Sequence, residues 1–194
     1  MNSAEALADD PRWQRFNDPE TPCACCGRQF SGIFDIGFDH PDPWPHGNRA
    51  AAGKTVLEVG EDRLSSDICL LGEHRFLRAV LPIRVIGADE EFAFGPWCLV
   101  EEADFIAYAQ SLAGAEEMFE GCEGWVMNRL PGVGMEGFLP CDLQAAPDPS
   151  DRPSIRMRPG SDLAEYQVSG ISFDGLLDIY AAAGQDLRPH LGPG

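Results

Sequence analysis

Three of the chain's seven cysteines fall within four residues, in Cys23-Ala-Cys-Cys26, and Gly27 follows directly. Cys23 and Cys26 form Cys-x-x-Cys-Gly, the spacing of a zinc knuckle. In a knuckle two thiolates sit on a tight turn, backbone N–H groups point at sulfur, and the glycine relaxes the turn. A closed structural site takes four ligands, and no second Cys-x-x-Cys exists in the chain. Downstream, thirteen residues separate Cys26 from His40 and five separate His40 from His46. That spacing falls inside the window of a two-cysteine, two-histidine site. The candidate metal ligands are therefore Cys23, Cys26, His40 and His46, around one zinc ion. Cys25 is a local substitute, and Cys69 is a rival ligand supplied from a strand. Pro41, Pro43 and Pro45 exclude the helix that carries both histidines of a finger, so these two would reach a metal from a loop. A thioredoxin-like redox pair is disfavoured, because its Cys-x-x-Cys opens a helix whereas Gly27 and irregular sequence follow here. The plain alternative is a cluster of inert, exposed thiols.

Other chemistry is sparse. Gly132-Val-Gly-Met-Glu-Gly137 fits G-x-G-x-x-G by letter, but Pro131 precedes it and Phe138-Leu-Pro140 follows as a strand. A dinucleotide site needs a strand before the motif and a helix after it, so the segment reads as a turn and no nucleotide cofactor is expected. Cys69, His74 and Asp67 lie close in sequence, yet Cys69 sits in an apolar strand and reads as a small buried hydrophobe. No G-x-S-x-G occurs, and no catalytic residue is assigned.

The elements that must position these residues follow from periodicity. Residues 1–22 read as a polar tail with one short helix around Trp13, and residues 23–54 as an irregular knuckle and loop region rich in proline. Regular pattern starts at Thr55. Ile68 to Leu71 and Arg75 to Ile86 read as strands around a hairpin at Gly72-Glu-His74, and Phe92 to Val100 as another. Glu102 to Leu112 has helical spacing and ends at Gly114. Glu123 to Leu130, Gly137 to Leu143 and Ile155 to Arg158 read as strands. A C-terminal helix opens at the N-cap Ser172, presents Phe173, Leu176, Leu177 and Tyr180, and stops at Gly184. Residues 185–194 read as a loose tail. The order suggests an α+β fold: one domain over 23–184, with an antiparallel sheet covered by about two helices and an irregular N-terminal knuckle.

The chain has 194 residues and a formal charge of −18. Such a surface repels nucleic-acid phosphates and anionic lipid, so neither is expected as a partner; a basic protein is compatible with the charge, although the plainer reading is that acidity only keeps the chain soluble. No apolar run reaches the ~20 residues that span a bilayer. The opening MNSAEALADD has neither the basic start nor the apolar core of a secretory signal. A cytoplasmic setting with reduced thiols is the expectation.

Several phrases occur together: Ser66-Asp-Ile-Cys69, Phe76-Leu-Arg78 running to Leu81-Pro-Ile83, Phe94-Gly-Pro-Trp97 before a helix, Gly124-Trp125, and Glu165-Tyr-Gln-Val-Ser-Gly-Ile171. With the upstream Cys-x-x-Cys-Gly, the chain resembles the bacterial family of uncharacterised proteins catalogued as domain of unknown function 2199, over roughly residues 20–182. The resemblance carries no established activity. It implies that the cysteine turn and the Asp67-x-Cys69 strand share one domain. It also implies a histidine three residues after the turn, where this chain has Phe30, which shifts completion of a metal site onto Cys25, His40 or His46. The combined expectation is a non-enzymatic binding or regulatory protein with a zinc knuckle. The alternatives are an acidic, immunity-type interaction module and a thiol- or metal-dependent enzyme.

Overall fold

The computed structural model describes residues 3–115, 118–134 and 138–192. The chain opens with two short helices, α1 (Ser3–Ala8) and α2 (Pro11–Phe16). Asp10 caps α2 by accepting the Arg12 N–H, and Pro11 occupies the first turn, where its missing donor costs nothing. Eight strands follow: β1 (Ile36–Gly37), β2 (Leu57–Val59), β3 (Asp62–Leu64), β4 (Ile68–Leu71), β5 (His74–Arg78), β6 (Leu81–Arg84), β7 (Glu91–Gly95) and β8 (Trp97–Val100). After α3 (Glu102–Leu112) come β9 (Gly121–Val126), β10 (Leu139–Gln144) and β11 (Ser154–Met157). The chain closes with α4 (Asp162–Ser169), α5 (Phe173–Ala182) and α6 (Arg188–Leu191).

The fold is α+β with a large antiparallel sheet of eight strands, ordered β11-β10-β9-β8-β5-β4-β3-β2. The expectation of a single sheet under about two helices needs correction. A second sheet, β1-β7-β6, has β1 parallel to β7; α1, α4 and α6 join the two expected covering helices, and α2 is the short helix expected around Trp13. The sheets separate where single long strands were expected. The run Arg75 to Ile86 divides into β5 and β6 around Ala79-Val80, and Phe92 to Val100 divides into β7 and β8 at Pro96. Proline has no N–H to give a ladder. Its carbonyl instead accepts the Ala79 N–H at 2.9 Å, while Val80 exchanges bonds with Pro153 and Ile155. The chain thus changes sheet twice at one hydrogen-bonded corner.

The main core lies between the small sheet, one face of the large sheet and the helices, with Phe92, Phe94, Cys98, Val126, Cys141, Leu163, Leu176, Leu177 and Tyr180 among its buried members. A second core forms from Trp44, Leu57, Leu64, Cys69, Phe76, Trp97 and Met127. The proline-rich stretch around Trp44 is therefore a lid over apolar residues of the sheet, and its backbone is tied down: Asn128, 1% exposed, bonds the Trp97 N–H, the His40 carbonyl and Asp42. The segments expected as tails also pack. Leu7, Phe16, Leu187 and Leu191 are all buried.

Helices α3 and α5 form where periodicity and capping place them. Ser172 Oγ accepts the Gly175 N–H, and Phe173, Leu176, Leu177 and Tyr180 are buried. Gly184, just past the cap residue Ala183, has φ +81°. Among the described residues, apart from its chain neighbours, no atom lies within 4 Å of where its Cβ would stand, so a side chain there meets chiefly backbone strain. Gly184→Val is expected to lower stability by about 1 kcal/mol or slightly more, read as a shift in urea midpoint. No shift would show that this helix end does not depend on the left-handed residue. Of the glycine-rich motif, Met135 to Gly137 lie outside the described residues.

Candidate metal centre

The cysteine turn is built by its own backbone. The Cys23 N–H donates to the Arg28 carbonyl at 2.8 Å, and the Gly27 N–H donates to the Cys23 carbonyl at 2.7 Å. Gly27 takes φ +74°, as the knuckle reading requires. This folds the three thiols onto one side of a turn. Cys23 is buried; Cys25 and Cys26 are exposed.

The fourth group comes from the other end of the chain. His190 rides α6, which has a proline in its first turn and is pinned by buried Leu187 and Leu191 on either side. Arg188 fastens the same turn to α5, bonding the Asp178 carboxylate at 2.7 Å and the Asp174 carbonyl at 3.0 Å. With α6 docked beside α2, His190 Nδ1 lies 3.5 Å from Cys23 Sγ, 3.1 Å from Cys25 Sγ and 3.6 Å from Cys26 Sγ. Cys23 and Cys25 sulfurs are 3.1 Å apart. All four ligand atoms lie within 4.8 Å of one another. A regular tetrahedron with Zn–S bonds of ~2.3 Å and a Zn–N bond of ~2.0 Å has edges of about 3.8 Å between sulfurs and about 3.5 Å from sulfur to nitrogen. The group has the size of one coordination shell and could hold a metal ion.

Cys23 and Cys25 hold their protons unequally. The hydrogen bond from Cys25, with help from His190, pulls the Cys23 thiol down to about 6. The same bond pushes Cys25 up to about 11, since one sulfur keeps the proton that the other gives up. Thiolate is the form that ligates metal.

The other histidines have different partners. His46 Nε2 pairs with Asp62 Oδ2 at 2.7 Å and its ring stands edge-on to Trp44. His40 Nδ1 faces the Pro41 carbonyl at 2.9 Å. Neither is among the residues that gather around the cysteine turn. Both serve the lid over the second core, because the prolines between them hold the stretch as fixed loop rather than as a mobile arm. Cys69 is fully buried in that core, and burial pushes its thiol up to about 12. Asp67 is taken by Arg152 Nε at 2.8 Å, and His74 stacks on Phe76. Cys25, the local substitute, does join the group. His190 was missed. Its signal is modest: Leu187 and Leu191 at helical spacing around it, with Pro189 to start the turn.

Phe30, at the position where the resemblance implies a histidine, is buried with its ring centroid 6.3 Å from that of His190. Arg15 and Arg28 stack on it at 5.1 and 5.4 Å. It packs beside the His190 ring, tilted 35° to it.

The fold and this cluster define an α+β protein with a cysteine–histidine group suited to a metal. Residues 22–171 match the family described as "Uncharacterized protein conserved in bacteria (DUF2199)". The match covers most of the chain, and the chain belongs to that family. No curated protein and no solved structure shows a significant match. The three cysteines lie inside the matched segment and His190 lies beyond it. Among the described residues no helix is long and apolar enough to cross a membrane.

Proposed function

We propose that this chain is a non-enzymatic binding or regulatory protein of the cytoplasm whose N- and C-terminal segments are stapled by one zinc ion on Cys23, Cys25, Cys26 and His190. The observation that carries this reading is the convergence of four soft donors, separated by up to 167 residues, on one shell. Three thiolates and one imidazole favour zinc over hard cations. Four protein ligands leave no open position for substrate or water, which marks a structural site rather than a catalytic one.

Elemental analysis of untagged protein, purified without chelator, is expected to find about one zinc per chain. His190→Ala and Cys26→Ser should lose it, whereas His40→Ala and His46→Ala should keep it. Full zinc in His190→Ala, or its loss in His46→Ala, would overturn the assignment.

A further inference from the structure

A second group of residues has no part in the metal centre. Arg78, at the end of β5, is half-buried, and among the described residues its guanidinium makes no hydrogen bond and no ion pair. Its Nε is sealed from solvent without a partner, while its Nη atoms are not sealed. The backbone around it is shaped to receive it. Gly37 and Gly95 are register partners on β1 and β7, and the guanidinium lies over both: a Cβ on Gly37 would stand 2.6 Å from Arg78 Nη2, and one on Gly95 3.8 Å from it. A charged group held flat against two glycines, desolvated on its inner edge and unpaired, is costly unless something supplies the missing acceptor.

Two further arginines share this corner. Arg49 fixes its Nη1 on the Lys54 and Thr55 carbonyls and leaves its own Nε buried without a partner. Its loop is tied to the residue after Phe38 by the Asn48–Asp39 bond, which brings it to the end of β1. Arg152 holds Asp67, whose carbonyl accepts the Arg78 N–H at 2.8 Å. Asp67 and Arg152 also line an open groove of about 680 Å³ beside this corner. Burial, with the charges of Arg152 and Arg49, disfavours the charged form of Arg78, and Asp67 and Asp39 only partly compensate. Three arginines against two carboxylates leave a local positive excess in a chain whose net charge is −18.

We propose that the open Nη edge of Arg78, flanked by Arg49 and Arg152, is a binding site for a small oxyanion, a phosphate or carboxylate group. Two parallel N–H donors on a planar fork match two oxygens of such a group. The glycine pair is needed because any side chain at 37 would displace the fork. The surrounding acidity gives selectivity: only a ligand small enough to enter the corner meets net positive charge, while polyanions are repelled.

The test is a thermal-shift and calorimetric titration of the full chain with inorganic phosphate and, separately, acetate at constant ionic strength. Wild type should bind saturably at millimolar concentration or below and melt higher as it does. Arg78→Met keeps the packing of the stem and should bind at least about tenfold more weakly. If Arg78→Met does not fold, Gly37→Ala, which leaves every charge in place and pushes on Nη2, should weaken binding in the same sense. Arg63→Gln, at an exposed side chain of β3, should leave it unchanged. Binding of phosphate alone supports a phosphorylated ligand, and binding of acetate as well supports the carboxylate class. No saturable binding of either, or equal binding in the Arg78 and Gly37 variants, would overturn the proposal.

Discussion

Chelation of the metal-loaded protein is expected to lower its melting temperature by roughly 8–16 °C, a loss of about 4 kcal/mol. A metal that binds the native chain far better than the unfolded one stabilises by mass action. In isolated fingers structural zinc contributes ~10–16 kcal/mol of binding free energy. The effect here should be smaller, because α6 is also held by buried Leu187 and Leu191 and by the Arg188 bonds to Asp178 and the Asp174 carbonyl. Metal loss would free the turn at 23–27 and the helix at 188–191 while the two sheets persist. His190→Ala should reach the lower melting temperature without chelator, and chelator should then have no further effect. Cys69→Ala should still respond to chelator, since Cys69 is buried in the other core. A wild-type melting curve unmoved by a strong chelator would contradict the staple.

Trp97→Ala should cost about 3–5 kcal/mol. Trp97 is fully buried in the second core, beside Trp44, Phe76 and Met127. Its indole Nε1–H donates to the Phe38 carbonyl at 3.0 Å. Truncation removes a large apolar volume and leaves that carbonyl without its donor, and both losses act in the same direction. Its main-chain N–H binds Asn128 Oδ1 at 2.8 Å, so the lid and the sheet share one polar anchor beside the indole. Urea unfolding should show a lower midpoint at unchanged slope. Trp97→Phe, which keeps most of the volume, should lose clearly less. A loss below about 1 kcal/mol for Trp97→Ala would mean that the lid does not seal this core.

Local chemistry was legible in the sequence wherever the cause lies within a few residues. The Cys-x-x-Cys-Gly turn, the Ser172 cap and Gly184 stop of α5, and the amphipathic run of α3 each depend on neighbours one turn away. The break at Pro96 carries a local signal, since proline has no N–H to give a ladder. The split of the run Arg75 to Ile86 at Ala79-Val80 was not legible, because burial alternates without interruption from Leu77 to Val85 and only the second sheet competes for the residues beyond it. The same holds for Trp44. Its proline-rich setting reads as loop, and loop it is, but the apolar residues that it covers come from β2 to β5, β8 and Met127. The candidate site divides along the same line. Three sulfurs share one turn; spacing named Cys23 and Cys26, and Cys25 stood only as a local substitute. His40 and His46 matched a spacing window, but a window measures contour length and not the direction in which proline-locked backbone points. His190 lies 164 residues from Cys26, and it reaches the sulfurs only because burial of Leu187 and Leu191 docks α6 beside α2. By itself the sequence determined the class of donor and the turn that presents it; only tertiary packing decided which histidine stands opposite.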